Sequence, residues 1–272
     1  MKSVVPAIED LATAFNSLGV WKGKQTVWGK QMHAKTFDRA LYLLMHRIGQ
    51  MGEREREIMD LLLKPGMNVV DVGANVGLYT LYMAGIVGPE GRVAAFEPDP
   101  DLVEILRKNC AENGATRIEV HNCALGEKAD RLVLSRLTLN SGENHLGADS
   151  REAFRRPIEV DVARFDTLIP DMAPDFVKVD VQGWELNVLK GMESVLRSAK
   201  PLVYVELWPD GLERAGSSPL ELFTFLGDVG LELYSCEDWK RLSESSFLEM
   251  ATHSKGMDYV NLLASNGAPL TP

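Results

Sequence analysis

The chain has 272 residues, 45% of them hydrophobic, enough to fill the core of one large α/β domain. Its 39 acidic and 29 basic side chains leave a formal charge of −10, which argues against a nucleic-acid partner, because neutralising phosphates takes clustered Lys and Arg. Cys110, Cys123 and Cys236 are too few and too scattered for a disulfide framework or a metal set; no apolar run reaches the roughly eighteen residues of a transmembrane helix, and no secretory signal is present, so a cytoplasmic protein without a transmembrane segment is expected.

The first expected element is an N-terminal helical extension over residues 1–52. Residues 1–51 hold seven basic side chains against three acidic ones, a balance of +4, and Trp21, Trp28 and Leu41-Tyr42-Leu43-Leu44-Met45 add apolar surface. A docked helix pair with solvated lysines fits this pattern, acting as a cap or substrate contact; an exposed Trp21 or Trp28 would mark a homodimer surface. The main domain is expected over 53–272. It opens with an amphipathic helix at 53–63, whose Ile58, Leu61 and Leu62 share a face, and Lys64-Pro65-Gly66 ends it.

Strands and helices then alternate. The strands are expected at 68–73, 92–97, 117–122, 175–181, 201–207, 231–235 and 258–264, with helices near 77–86, 100–113, 184–197 and 219–228. This order predicts an α/β, doubly wound parallel sheet of seven strands with its ligand at the strands' carboxyl ends. An insertion at 127–174 interrupts the alternation, with Arg131–Ser135 and Ile158–Val162 as further strands around the polar Asn140-Ser141-Gly142-Glu143-Asn144-His145 loop. A long polar excursion beside a ligand edge is often functional.

The first strand runs into Val69-Val70-Asp71-Val72-Gly73-Ala74-Asn75-Val76-Gly77. Glycines at such a strand end let bare backbone approach a ligand at the next helix's amino terminus. A dinucleotide pyrophosphate needs Gly-x-Gly-x-x-Gly, and Asn75 stands at the second glycine. Asp71-x-Gly73-x-Asn75-x-Gly77 instead offers a carboxylate and backbone groups to a ligand carrying ammonium and carboxylate together, as S-adenosyl-L-methionine (SAM) does. Glu97, ending the next strand about twenty residues on, occupies the place of a ribose acceptor.

Val70–Gly77, Phe96-Glu97-Pro98, Asn122-Cys123-Ala124-Leu125-Gly126 and Phe176-Val177-Lys178-Val179-Asp180-Val181-Gln182-Gly183-Trp184-Glu185 together resemble the FkbM-type family of SAM-dependent methyltransferases, over about residues 53–210. The resemblance implies a Rossmann-like seven-stranded class I methyltransferase fold. It also implies methyl transfer, usually to a hydroxyl of a sugar, polyketide or similar metabolite. By it Asp71, Gly73, Asn75 and Gly77 belong to the methionine end of the cofactor, Glu97 to the ribose, and Asn122, Cys123 and Ala124 to the segment flanking adenine. Asp180 corresponds to the carboxylate at the edge of the active site. The sequence departs from the family at Gln182, more typically Glu, and at Trp184, commonly smaller.

Methyl transfer to an alcohol requires loss of the hydroxyl proton, so a base within reach is expected. The candidates are His145, Asp180, Glu185 and Glu206, with His145, Asp180 and Glu206 preferred; His33, His46, His121 and His253 rank behind them. Asn144 in the polar loop, and Trp184 and Trp208 just beyond two strand ends, are expected to contact substrate. No metal is expected, because Asp180 and Glu206 supply only two separated carboxylates. The expected activity is a SAM-dependent O-methyltransferase acting on a small-molecule or lipid-linked hydroxylated substrate such as a sugar, glycolipid or polyketide. N-methylation of a small amine or peptide, or SAM binding without catalysis, stays open. The absent Gly-x-Gly disfavours a nicotinamide-dependent oxidoreductase.

Overall fold

The computed structural model describes residues 25–35, 53–137, 141–147, 155–254 and 259–267. Trp21, the Leu41–Met45 patch and His46 lie outside the described residues.

The described part of the N-terminal segment corrects the helical expectation. Strands β1 (Gln25–Val27) and β2 (Lys30–Met32) form an antiparallel hairpin. Trp28 (φ 49) and Gly29 (φ 74) both take the left-handed conformation that a tight two-residue hairpin turn demands, and the β-branched Thr26 and Val27 just before it favour strand over helix. The hairpin seats Val27 and Met32 against Leu78, Leu81, Leu102 and Leu106. Trp28 meets Tyr79 and Tyr82 edge-on, each at 5.4 Å, so its ring is engaged within the chain.

The main domain continues with α1 (Glu53–Leu62), β3 (Asn68–Val72), α2 (Leu78–Val87), β4 (Arg92–Phe96), α3 (Pro100–Glu112) and β5 (Ile118–His121). The insertion follows as β6 (Ala124–Leu125), β7 (Asp130–Leu137), a 3-10 turn at Ser141–Glu143, β8 (His145–Leu146) and β9 (Arg155–Ala163). Then come α4 (Phe165–Leu168), β10 (Phe176–Val179), α5 (Glu185–Gly191), α6 (Glu193–Ala199), β11 (Leu202–Leu207), α7 (Pro209–Arg214), α8 (Pro219–Asp228), β12 (Glu232–Ser235), α9 (Glu244–His253) and β13 (Val260–Ser265).

Seven strands make the central sheet in the order β12-β13-β11-β10-β3-β4-β5. Continuous apolar runs suit strands buried on both faces. Val70, Val72, Val177, Val179, Val203 and Val205 face one helical layer with Leu186, Leu189, Leu222 and Leu226. Val69, Phe176 and Leu263 face the other, under Ile58 and Met59 of α1 and Met83 of α2. The sheet is not wholly parallel as expected: β13 is antiparallel to both β11 and β12. After β12 the chain folds α9 against α8 and re-enters the sheet at the end where β12 stopped, so it must run back. The single helix expected at 184–197 is two, α5 and α6. They part at Met192 because Gly191 presses on the backbone of Gly126, leaving no space for a Cβ. The insertion forms its own four-stranded sheet, β6-β9-β7-β8, beside the carboxyl edge.

Candidate active site

Along the carboxyl ends of β4, β3, β10 and β11 and the start of β13 runs a cavity of about 390 Å³, within the range of small-molecule sites. Parallel register explains its placement, since Glu97, Gly73 to Asn75, Asp180 and Glu206 all fall just at or past strand ends on the same edge.

At the β4 end Glu97 is 5% exposed and its carboxylate accepts the backbone N–H groups of Asn75 (2.9 Å) and Asp99 (2.8 Å). Burial pushes its pKa up to about 7, with those two donors pulling the other way. The Asn122 amide donates to the carbonyls of Glu97 (3.1 Å) and Pro98 (3.0 Å), fixing this turn from outside the cavity wall. Cys123 and Ala124 are in the wall.

Gly73 has φ +84, and a Cβ there would collide with the Asp180 carbonyl, so the close approach just past the paired ends of β3 and β10 admits only glycine. The N–H groups of Gly73 and Ala74 both donate to the Phe96 carbonyl at 3.0 Å. Asn75, left-handed at φ 51, accepts the Val76 N–H at 2.7 Å and donates to the Ser141 hydroxyl at 3.0 Å, tying the insertion to this turn. Gly77 (φ 89) starts α2 behind the wall. Asp71 is also placed behind it: the carboxylate is fully buried, accepts the Thr80 hydroxyl and lies 3.9 Å from Lys178 Nζ. Burial raises its pKa against the pull of Lys178 and Thr80.

The β10 and β11 ends hold the densest electrostatics. Lys178 Nζ lies 3.1 Å from Asp180 Oδ2 and 4.7 Å from the centre of the Tyr79 ring. Burial pushes the Asp180 pKa up, but Lys178 and hydrogen bonds from Glu206 and Gln182 outweigh it and hold it below the usual carboxylate range. Burial, then the charge of Asp180, lifts Glu206 well above that range. The two shifts run in opposite senses, so Glu206 keeps its proton to higher pH than Asp180 does. The Gln182 amide donates to Asp180 (3.2 Å) and Glu206 (2.7 Å); a glutamate there would bring a further acidic group in place of two hydrogen bonds.

His145 is buried in the wall, its Nδ1 3.3 Å from the Glu143 carbonyl. Asn144, also in the wall, accepts the Leu137 N–H at 2.9 Å and so shapes the loop. Trp184 lines the cavity against the insertion's core of Ala124, Leu134 and Leu146. Trp208 lines it beneath the Arg214 guanidinium, which stands 4.5 Å over the ring. Glu185 is placed elsewhere: buried behind the wall, it accepts the Gly183 N–H at 2.8 Å, and burial lifts its pKa to about 7. His33 bonds Glu112 at 2.8 Å and His121 stacks on Phe96 at 4.8 Å, both away from the cavity.

Sequence reasoning missed Lys178, Tyr204, Asn261, Glu55 and Tyr79, all of which line the cavity. A lysine inside the buried run Phe176-Val177-Lys178-Val179 was a visible signal, and strand alternation puts 178, 180, 204 and 206 on one face. Nothing local marked Glu55 or Asn261. Among the described residues no helix is long and apolar enough to cross a membrane.

A family model, the methyltransferase FkbM domain, matches residues 71–233. Methyltransferase sdnD of Sordaria araneosa is 30% identical over 196 residues, covering 61% of this chain and 73% of that protein. Hexuronic acid methyltransferase AglP of Haloferax volcanii is 28% identical over 180 residues, covering 65% of this chain and 70% of that protein. Among solved structures, the methyltransferase FkbM from Methylobacillus flagellatus KT aligns with a TM-score of 0.47 at 20% identity, over 96% of this chain and 58% of that one.

Proposed function

The chain belongs to the FkbM family of methyltransferases, which use SAM as methyl donor, and from that premise we propose that it methylates a hydroxyl oxygen of a small or lipid-linked metabolite such as a sugar, glycolipid or polyketide. The residues fit the cofactor: Gly73 and Ala74 line the cavity at the turn where the amino-acid end would lie, with Gly73 packed against the Asp180 carbonyl, and the Glu97 carboxylate matches a ribose diol. Cys123 and Ala124 would flank the base. Asp71 acts from behind, through Thr80 and Lys178, as a support of the turn. Bound there, SAM supplies an electrophilic sulfonium methyl group whose departure leaves a neutral thioether.

The observation that carries oxygen methylation is the Asp180 carboxylate in the cavity wall, 3.1 Å from Lys178 and joined to Glu206 through the Gln182 amide. Lys178 keeps Asp180 ionised inside the wall, so its carboxylate takes the hydroxyl proton as the acceptor oxygen bonds to the methyl carbon. Glu206, which burial and the Asp180 charge bias towards its protonated form, stands beside it and shares the Gln182 amide. Trp184, Trp208 and Asn144 form walls for the acceptor, and His145 is the competing base. Three free, buried cysteines support a cytoplasmic location.

With isotopically labelled SAM, Asp180→Asn is expected to lower kcat by roughly a hundredfold or more while SAM affinity by calorimetry stays near wild type; His145→Gln is expected to cost far less. The reverse ranking makes His145 the base. Label on nitrogen, or SAM binding without transfer to any acceptor, overturns the proposal.

A further inference from the structure

Below the mouth of the cavity, one face of the sheet carries a polar strip among apolar neighbours. Lys178 pairs in register with Tyr204, and Glu206 with Asn261, so alternation turns these side chains to the same side, under α1. From α1, Glu55 reaches the strip and accepts the Asn261 amide at 2.8 Å. Tyr204 is 2% exposed, lines the cavity, and its hydroxyl has no hydrogen-bond partner among the described residues. A buried hydroxyl left unsatisfied is costly, and one facing a cavity gains its partner from what enters.

Resting on the oxygen-methylation reading, we propose that Glu55, Tyr204 and Asn261 form an acceptor subsite for an uncharged, polyhydroxylated head group, and that this subsite discriminates against acceptors bearing a carboxylate. The strip is rich in acceptor oxygens: Glu55 accepts from Asn261 and Asp180 from Lys178 and Gln182, and the Asn261 amide oxygen is an acceptor too, so the ligand must bring donors, as adjacent hydroxyls do. An anionic head would stand beside the Asp180 charge. Among the described residues the lysine in this wall, Lys178, is already committed to Asp180 and Asp71. A cationic head would instead face the positive methyl donor. Trp208 in the wall and Tyr259 at the rim, 58% exposed, offer flat faces to the C–H side of a sugar-like ring.

The test uses the intact protein, labelled SAM, and a small-molecule and lipid extract of the source cells separated by charge into anionic, cationic and neutral fractions. Label is expected in the neutral fraction. Tyr204→Phe, which keeps the ring, and Glu55→Gln are each expected to raise the KM for that fraction by about tenfold with SAM affinity unchanged. Label in the anionic or cationic fraction, or an unchanged KM in Tyr204→Phe, overturns the subsite. Intact SAM binding with no label in any fraction overturns the methyl-transfer reading and, with it, this one.

Discussion

Glu97 shows how one side chain is set by competing forces. Burial favours its neutral form and lifts the pKa to about 7, although two backbone N–H groups already point at its oxygens. Hydroxyl donors from a bound ribose would favour the ionised form, so binding is expected to draw the pKa down and release a proton. SAM affinity should then rise as pH increases from 6 towards 7 and level off above it, with Glu97→Gln removing that dependence. Calorimetry in two buffers of different ionisation heat measures both effects; equal affinity at pH 6 and 8 in the wild type contradicts them. Glu97 and Asp180 were legible in the sequence because each ends a β-branched or apolar run. The opposite shifts of Asp180 and Glu206 were not, since they depend on Lys178 standing beside Asp180 and on Gln182 reaching both carboxyls.

Among the elements, the turn from β3 into α2 is the most constrained. Gly73 and Gly77 both have left-handed φ, but the obstacle to a Cβ differs: at Gly73 it is the Asp180 backbone, at Gly77 the end of the Leu106 side chain. Backbone fixed in a parallel sheet cannot yield, whereas a leucine can change rotamer. Gly73→Ala is therefore expected to abolish SAM binding and lower stability by more than Gly77→Ala does, as read by calorimetry and urea denaturation; equal losses would show that strain in φ alone governs. Both glycines were evident in the sequence as loop residues. The asymmetry between them was not, because the neighbours that define it are 107 and 29 positions away in the chain. Similarly, the break between α5 and α6 depends on a remote contact of Gly191 with Gly126, and the apolar periodicity runs through it unbroken.

For the molecule as a whole, buried carboxyls make stability depend on pH. Glu97 and Glu185 stand at about 7 against an ordinary 4.5, so the folded state binds more protons than the unfolded chain between those values. Their contribution is present below the unfolded pKa and is lost as pH rises through the folded one, on the order of 3 kcal/mol for each group. The ligand-free protein is expected to be more stable towards urea at pH 5.5 than at pH 8, and Glu185→Gln to flatten the difference. A protein more stable at pH 8 would refute this reading of the buried acids.

The sequence by itself determined the alternating architecture, the glycine turn and the row of strand-end carboxylates, because a buried strand and the turn that follows it are written in consecutive residues. Tertiary structure alone decided that residues 25–32 form a hairpin on α2 and α3, that β13 runs backwards between β11 and β12, and that Asn261 thereby meets Glu55, 206 positions earlier. The inner end of the cavity is made by that reversal, which joins distant parts of the chain through packing that no local pattern encodes.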